Sequence, residues 1–133
     1  MHTEVYSGSV QLYGEEHRET IREASNYATS LIRLQRFGEA KSLMRKKMPV
    51  ARRVLGKNHE IALRMRWGYA EALYKDNGAT LDDVREAVTT LEDAERTARR
   101  VFGGAHPLTS AIEENLQGAR AALRARETPS TSA

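Results

Sequence analysis

Apolar residues recur at helical spacing along most of the chain. Ile21, Ala24, Tyr27, Ala28, Leu31 and Leu34 share one face of a predicted helix over residues 18–34. Ala40, Leu43, Met44, Met48, Ala51 and Val54 do the same over 38–55, and Ile61, Met65, Tyr69, Ala70 and Leu73 over 60–74. The cleanest stripe is Val84, Ala87, Leu91, Ala94, Ala98 and Val101, which advances by three or four residues at every step. Thr80 is placed to cap that helix, with Asp82 and Asp83 in its first turn, against the positive end of its dipole. Ile112, Leu116, Ala119 and Leu123 predict a last helix over 107–126. Pro107 suits its first turn, where the missing N–H is not needed. Pro49 falls inside the second pattern and predicts a kink near Met48. No strand is predicted.

The helices are punctuated by a repeated motif. Tyr13-Gly14-Glu15-Glu16-His17, Leu55-Gly56-Lys57-Asn58-His59 and Phe102-Gly103-Gly104-Ala105-His106 all read apolar-Gly-x-x-His. The histidines lie 42 and then 47 residues apart. The difference is an insertion, Asp76-Asn77-Gly78-Ala79-Thr80-Leu81, because Glu39-Ala40 and Glu86-Ala87 are again 47 apart. A period near 40 with two helices per unit is the signature of a helical-repeat protein. By the same register, residues 5–13 align with the end of a second helix, so the chain begins inside a repeat. Gly14, Gly56 and Gly103 each end a helix, where a left-handed residue needs no Cβ.

Leu55-Gly56, His59, Asn26-Tyr27-Ala28, Gly38-Glu39-Ala40 and Glu86-Ala87 together resemble the tetratricopeptide repeats of the kinesin-light-chain type. The resemblance runs from about Tyr13 to Leu123. It implies an all-α, right-handed solenoid of antiparallel helix pairs, about two and a half repeats long. The expected organisation is one domain over 1–127, with repeats at 14–55 and 56–102, a closing helix at 103–126 and a disordered tail at 128–133. Ala28 and Ala70, facing Ala40 and Ala87, are the small residues that let paired helices approach closely. The third copy carries Gln117 and Arg120 where Ala and Leu stood before, the polar outer face expected of a terminal helix.

Composition narrows the function classes. The 133 residues contain 21 Lys and Arg against 18 Asp and Glu, a net charge of +3, too weak by itself to indicate nucleic acid. There is no cysteine, which removes disulfides, thiol catalysis and Cys-ligated metals. No apolar run is long enough to span a membrane, and no secretory signal is visible at the start, so a cytoplasmic location is expected. No phosphate loop, Gly-x-Ser-x-Gly or His-Glu-x-x-His occurs, and Glu15-Glu16 and Asp82-Asp83 read as solvated dipole partners. The chain is read as a non-enzyme without a cofactor or metal site. His17, His59 and His106 occupy equivalent loops of successive repeats, too far apart to share a metal.

The resemblance implies a concave groove lined by the first helix of each pair. Removing the core positions leaves Arg22, Ser25, Asn26, Thr29 and Arg33 on one such helix, and Arg64, Trp67, Gly68, Glu71 and Lys75 on the next. On the third it leaves Glu114, Asn115 and Gly118. The expected partner-binding residues are Arg22, Asn26, Arg64, Trp67, Glu71, Lys75 and Asn115. Asn pairs with an extended peptide backbone and Arg with its carboxylates. Trp67 is either an aromatic anchor or a core filler beside Met65 and Met48. The leading expectation is a scaffold that binds a short acidic or aromatic-containing segment of a protein partner. One alternative is a structural or homo-oligomerising piece of a longer solenoid. Another is nucleic-acid binding through the basic run Lys41, Arg45, Lys46, Lys47, Arg52 and Arg53.

Overall fold

In a computed structural model the described residues, 2–14 and 17–127, form six α-helices and no strand. They are α1 His2–Tyr13, α2 Arg18–Arg33, α3 Phe37–Leu55, α4 Glu60–Lys75, α5 Leu81–Phe102 and α6 Pro107–Glu127. Glu15, Glu16 and the predicted tail at 128–133 lie outside the described residues. Each helix packs on the next in the chain. In addition α4 packs directly on both α2 and α6, whereas the backbones of α1, α3 and α5 stand farther from one another, α1 and α3 meeting through the Tyr6 and Lys47 side chains.

The three Gly-x-x-His corners are built alike. Gly14, Gly56 and Gly103 have φ of 86°, 94° and 92°. At Gly56 and Gly103 ψ is 150° and 158°, so the backbone is not the left-handed turn expected but a more extended region essentially confined to glycine. Each glycine N–H closes the preceding helix, and each glycine carbonyl accepts the histidine N–H three residues on. The histidine then caps the following helix. Nδ1 of His17, His59 and His106 accepts the backbone N–H of Glu19, Ile61 and Leu108 at 3.0, 3.1 and 3.1 Å. These donors are otherwise orphaned in the first turn of a helix. The repeated histidine is therefore a helix cap, with its cap nitrogen unprotonated.

The α2–α3 turn uses different chemistry. The N–H groups of Gln35 and Arg36 reach back to the carbonyls of Ile32 and Leu31, a Schellman closure. Gln35 sits at φ 61° where glycine is usual. The insertion before α5 is anchored at both sides. Asp76 accepts the Gly78 N–H and the Lys41 ammonium of α3, and these two contacts, in that order, pull its carboxyl below the ordinary range. Arg126 of α6 donates to the Ala79 carbonyl. Thr80 and Asp83 form the capping box that starts α5.

The core lies along the shared faces of these helices. Ala28, Ala40, Ala70 and Ala87 are all fully enclosed, as expected of the close-approach positions. Ile21, Ala24, Ala51, Ile61, Ala62 and Met65 form a second, smaller cluster near α1. Three members of the predicted stripes do not join the core. Leu34 is 65% exposed, Val54 39% and Val101 42%, because each falls in the last turn of its helix or just beyond, past the reach of the neighbouring helix. Gln117 and Arg120 are exposed, Arg120 reaching Glu92 of α5 at 3.1 Å. α3 continues unbroken through Pro49, whose ring lies at the surface.

Candidate functional site

Three of the seven expected binding residues share a cleft. Arg22 and Asn26 from α2, with Arg64 from α4, line a depression of about 230 Å³ whose other walls include Ser25, His59 and Glu60. They meet because α2 and α4 pack side by side and all three residues lie on the exposed faces. The two guanidinium groups have only loose partners on their own helices, Glu19 at 3.8 Å from Arg22 and Glu60 at 3.6 Å from Arg64. Such exposed pairs contribute little, so the arginines remain available to an incoming anion.

The other four are placed differently. Trp67 is not an exposed anchor. It is half-buried against the larger apolar cluster, and its indole N–H is enclosed without an acceptor among the described residues. Glu71 and Lys75 pair with each other at 2.7 Å, a contact one helical turn long, and do not line the cleft. Asn115 is tied into the fold. Its side-chain oxygen accepts the Tyr74 hydroxyl at 2.8 Å and its amide donates to the Ala111 carbonyl at 3.2 Å. Gly68, which follows His59 at the same spacing as Asn26 follows His17 and Asn115 follows His106, faces inward, where a Cβ would stand 3.1 Å from the Met44 sulfur and 3.3 Å from Ile32. Ser25 is likewise buried.

The basic run on α3 does not form one face. Lys41 is committed to Asp76 at 3.3 Å. Lys47 is buried, with its ammonium 5.5 Å from the centre of the Tyr6 ring. Lys46 is exposed between α2 and α3, and Arg45 turns toward α4.

A larger cleft, of about 1030 Å³, opens between α3 and α5 over α4, where the backbones of those two helices stand apart. Tyr69 forms part of its floor. The Tyr69 hydroxyl donates to Glu86 at 2.9 Å and accepts from Arg45 at 3.2 Å, linking α3, α4 and α5. Burial raises the Tyr69 phenol above its ordinary value, and the bond to Tyr69 holds the Arg45 guanidinium up as well. Arg66 of α4 pairs with Asp93 of α5, which also lies 3.6 Å from Arg96. Sequence periodicity places Tyr69 in the core, which is true of its ring. Nothing local signals that its hydroxyl reaches a cleft, since the helices flanking it meet only through α4.

Among the described residues, no cluster of three potential metal ligands occurs and no helix is long and apolar enough to cross a membrane. Comparison with models of known protein families, with curated proteins and with solved structures found no match to this chain.

Proposed function

We propose that this chain is a non-enzymatic interaction scaffold that binds a short acidic segment of a protein partner between α2 and α4. The observation that carries the reading is the convergence of Arg22, Asn26 and Arg64 on one cleft. Two forked cations suit carboxylates, and the Asn26 amide suits an extended backbone. The direct packing of α2 on α4 and α4 on α6, without equivalent contacts among α1, α3 and α5, supports reading the helices as paired repeats. In that reading the pairs are antiparallel and wind right-handedly, as in tetratricopeptide repeats, with α2, α4 and α6 on the inner side. The three like corners support the same periodicity. The proposed setting is the cytoplasm, where such scaffolds meet soluble partners.

The test is affinity capture with the partner identified by mass spectrometry, followed by binding of its acidic segment to purified variants. Arg22→Glu together with Arg64→Glu abolishes that binding if the reading is right. Both positions are exposed, so stability changes by about 0.5 kcal/mol or less. Undiminished binding by a folded double variant would sink the proposal.

A further inference from the structure

On the opposite side of α4 from Arg64, a second site is built from three helices and a loop. Arg66 lies about 200° around the helix from Arg64 at 100° per residue, so the two arginines serve separate faces. Where the large cleft narrows, Arg52 of α3, Lys57 and Asn58 of the following loop, Arg66 of α4, and Thr97 and Arg100 of α5 enclose a polar pocket of about 230 Å³. Arg66 is neutralised by Asp93, the one acid in the pocket wall. Arg52, Lys57 and Arg100 have no ion pair among the described residues.

The pocket and the adjoining cleft are lined by seven cations and three acids, a surplus of four that exceeds the whole chain's +3. Like charges gathered around a small space repel, and a multiply charged anion between them removes that cost. A single carboxylate offsets only one of the three unpaired cations. A compact dianion offsets two and offers three acceptor oxygens to the Arg52 and Arg100 forks and the Lys57 ammonium. The Asn58 amide adds a neutral donor. An extended polyanion fits less well. Glu86 and Glu92 stand along the α5 wall of the longer cleft and not in the pocket, so they would repel a phosphodiester backbone but not a group confined to the pocket, where Asp93 is neutralised by Arg66.

We propose that this pocket is a binding site for a phosphate monoester dianion, separate from the cleft between α2 and α4. The site is independent of the peptide-binding proposal, and the variants expected to weaken it lie at other residues. Inorganic phosphate, N-acetyl-O-phosphoserine amide and a single-stranded RNA oligomer are titrated into the full chain by calorimetry and by backbone amide NMR. The expected result is saturable binding of both phosphate probes, with the largest shifts at Asn58, Thr97 and Arg100. Tighter binding of the phosphoserine probe identifies a phosphorylated protein side chain as the source; equal or weaker binding identifies a free phosphate ion.

Arg52→Gln with Arg100→Gln weakens both probes by about tenfold or more, as expected from losing two charge-assisted contacts. Arg22→Gln with Arg64→Gln leaves them unchanged. Circular dichroism and a melting curve establish that each variant is folded, and Lys57→Gln, in an exposed loop, serves if the arginine pair is not. No saturable phosphate binding, or binding insensitive to Arg52, Lys57 and Arg100, overturns the proposal. RNA binding that tightens with oligomer length and outcompetes phosphoserine also overturns it, in favour of nucleic acid.

Discussion

The Tyr74 hydroxyl of α4 donates to the Asn115 side-chain oxygen of α6 at 2.8 Å, and Gly118 makes room for it, since a Cβ there would stand 3.1 Å from the phenol oxygen. Burial and then the nearby Glu71 push the Tyr74 phenol from 10.0 up to about 12. The neutral form is thus favoured by folding. Its contribution to stability is complete below pH 10.0 and is lost as pH rises toward 12. Alkaline titration of tyrosinate absorbance is expected to show this group ionising late, and Tyr74→Phe removes one tyrosine from the late phase, to which the raised Tyr69 also belongs. Ionisation of every tyrosine near pH 10 in the folded protein would contradict the assignment.

The histidine caps predict a graded response to substitution. His59→Ala removes the acceptor for the Ile61 N–H and is expected to cost about 0.5–2 kcal/mol. His59→Asp restores a short acceptor and adds a negative charge at the start of α4, so it recovers most of that loss. Urea unfolding of the three proteins ranks them. Equal midpoints for His59→Ala and the parent would show that the cap contributes nothing.

Adjacent lysines on α3 are expected to behave oppositely. Lys46 is exposed, and Lys46→Glu should shift stability by about 0.5 kcal/mol or less. Lys47 is buried with its ammonium over the Tyr6 ring, so Lys47→Glu replaces a cation–π contact by an enclosed anion. A loss of about 1–3 kcal/mol is expected. Calorimetric melting distinguishes the two, and a silent Lys47→Glu would mean that α1 does not pack on this part of α3.

Gln35 predicts a stabilising change. Its φ of 61° at the end of α2 costs an L-residue about 1–2 kcal/mol relative to glycine. Part of that is offset by the greater freedom of glycine in the unfolded chain. Gln35→Gly is expected to stabilise by about 0.5–1 kcal/mol in chemical denaturation. A destabilised variant would show that the Gln35 side chain, not its backbone, holds the α2–α3 turn.

Helix positions, the corner motif and the small buried residues were legible in the sequence because they depend on local rules. A stripe such as Val84, Ala87, Leu91, Ala94 and Ala98 needs one buried face, and all five are fully enclosed. Glycines before each corner histidine are required by backbone sterics wherever φ is positive. The cap role of His17, His59 and His106 was not legible, because the spacing places them only in a loop and histidine is an uncommon cap.

Partnerships across helices were decided by the tertiary structure. Periodicity lists Trp67, Glu71, Lys75 and Asn115 as surface remaining after the core is removed, yet it cannot say which neighbouring helix stands over each. The indole N–H of Trp67 is enclosed against the larger apolar cluster, and Asn115 is bound to Tyr74 across the α4–α6 contact. The same packing leaves α3 and α5 apart and so opens the cleft in which Arg52, Lys57 and Arg100, distant in sequence, come together. Helical pattern is a short-range property of the chain, set within one or two turns. Charge clusters and cavities depend on which helices touch, and that is settled only when all the apolar faces are buried at once.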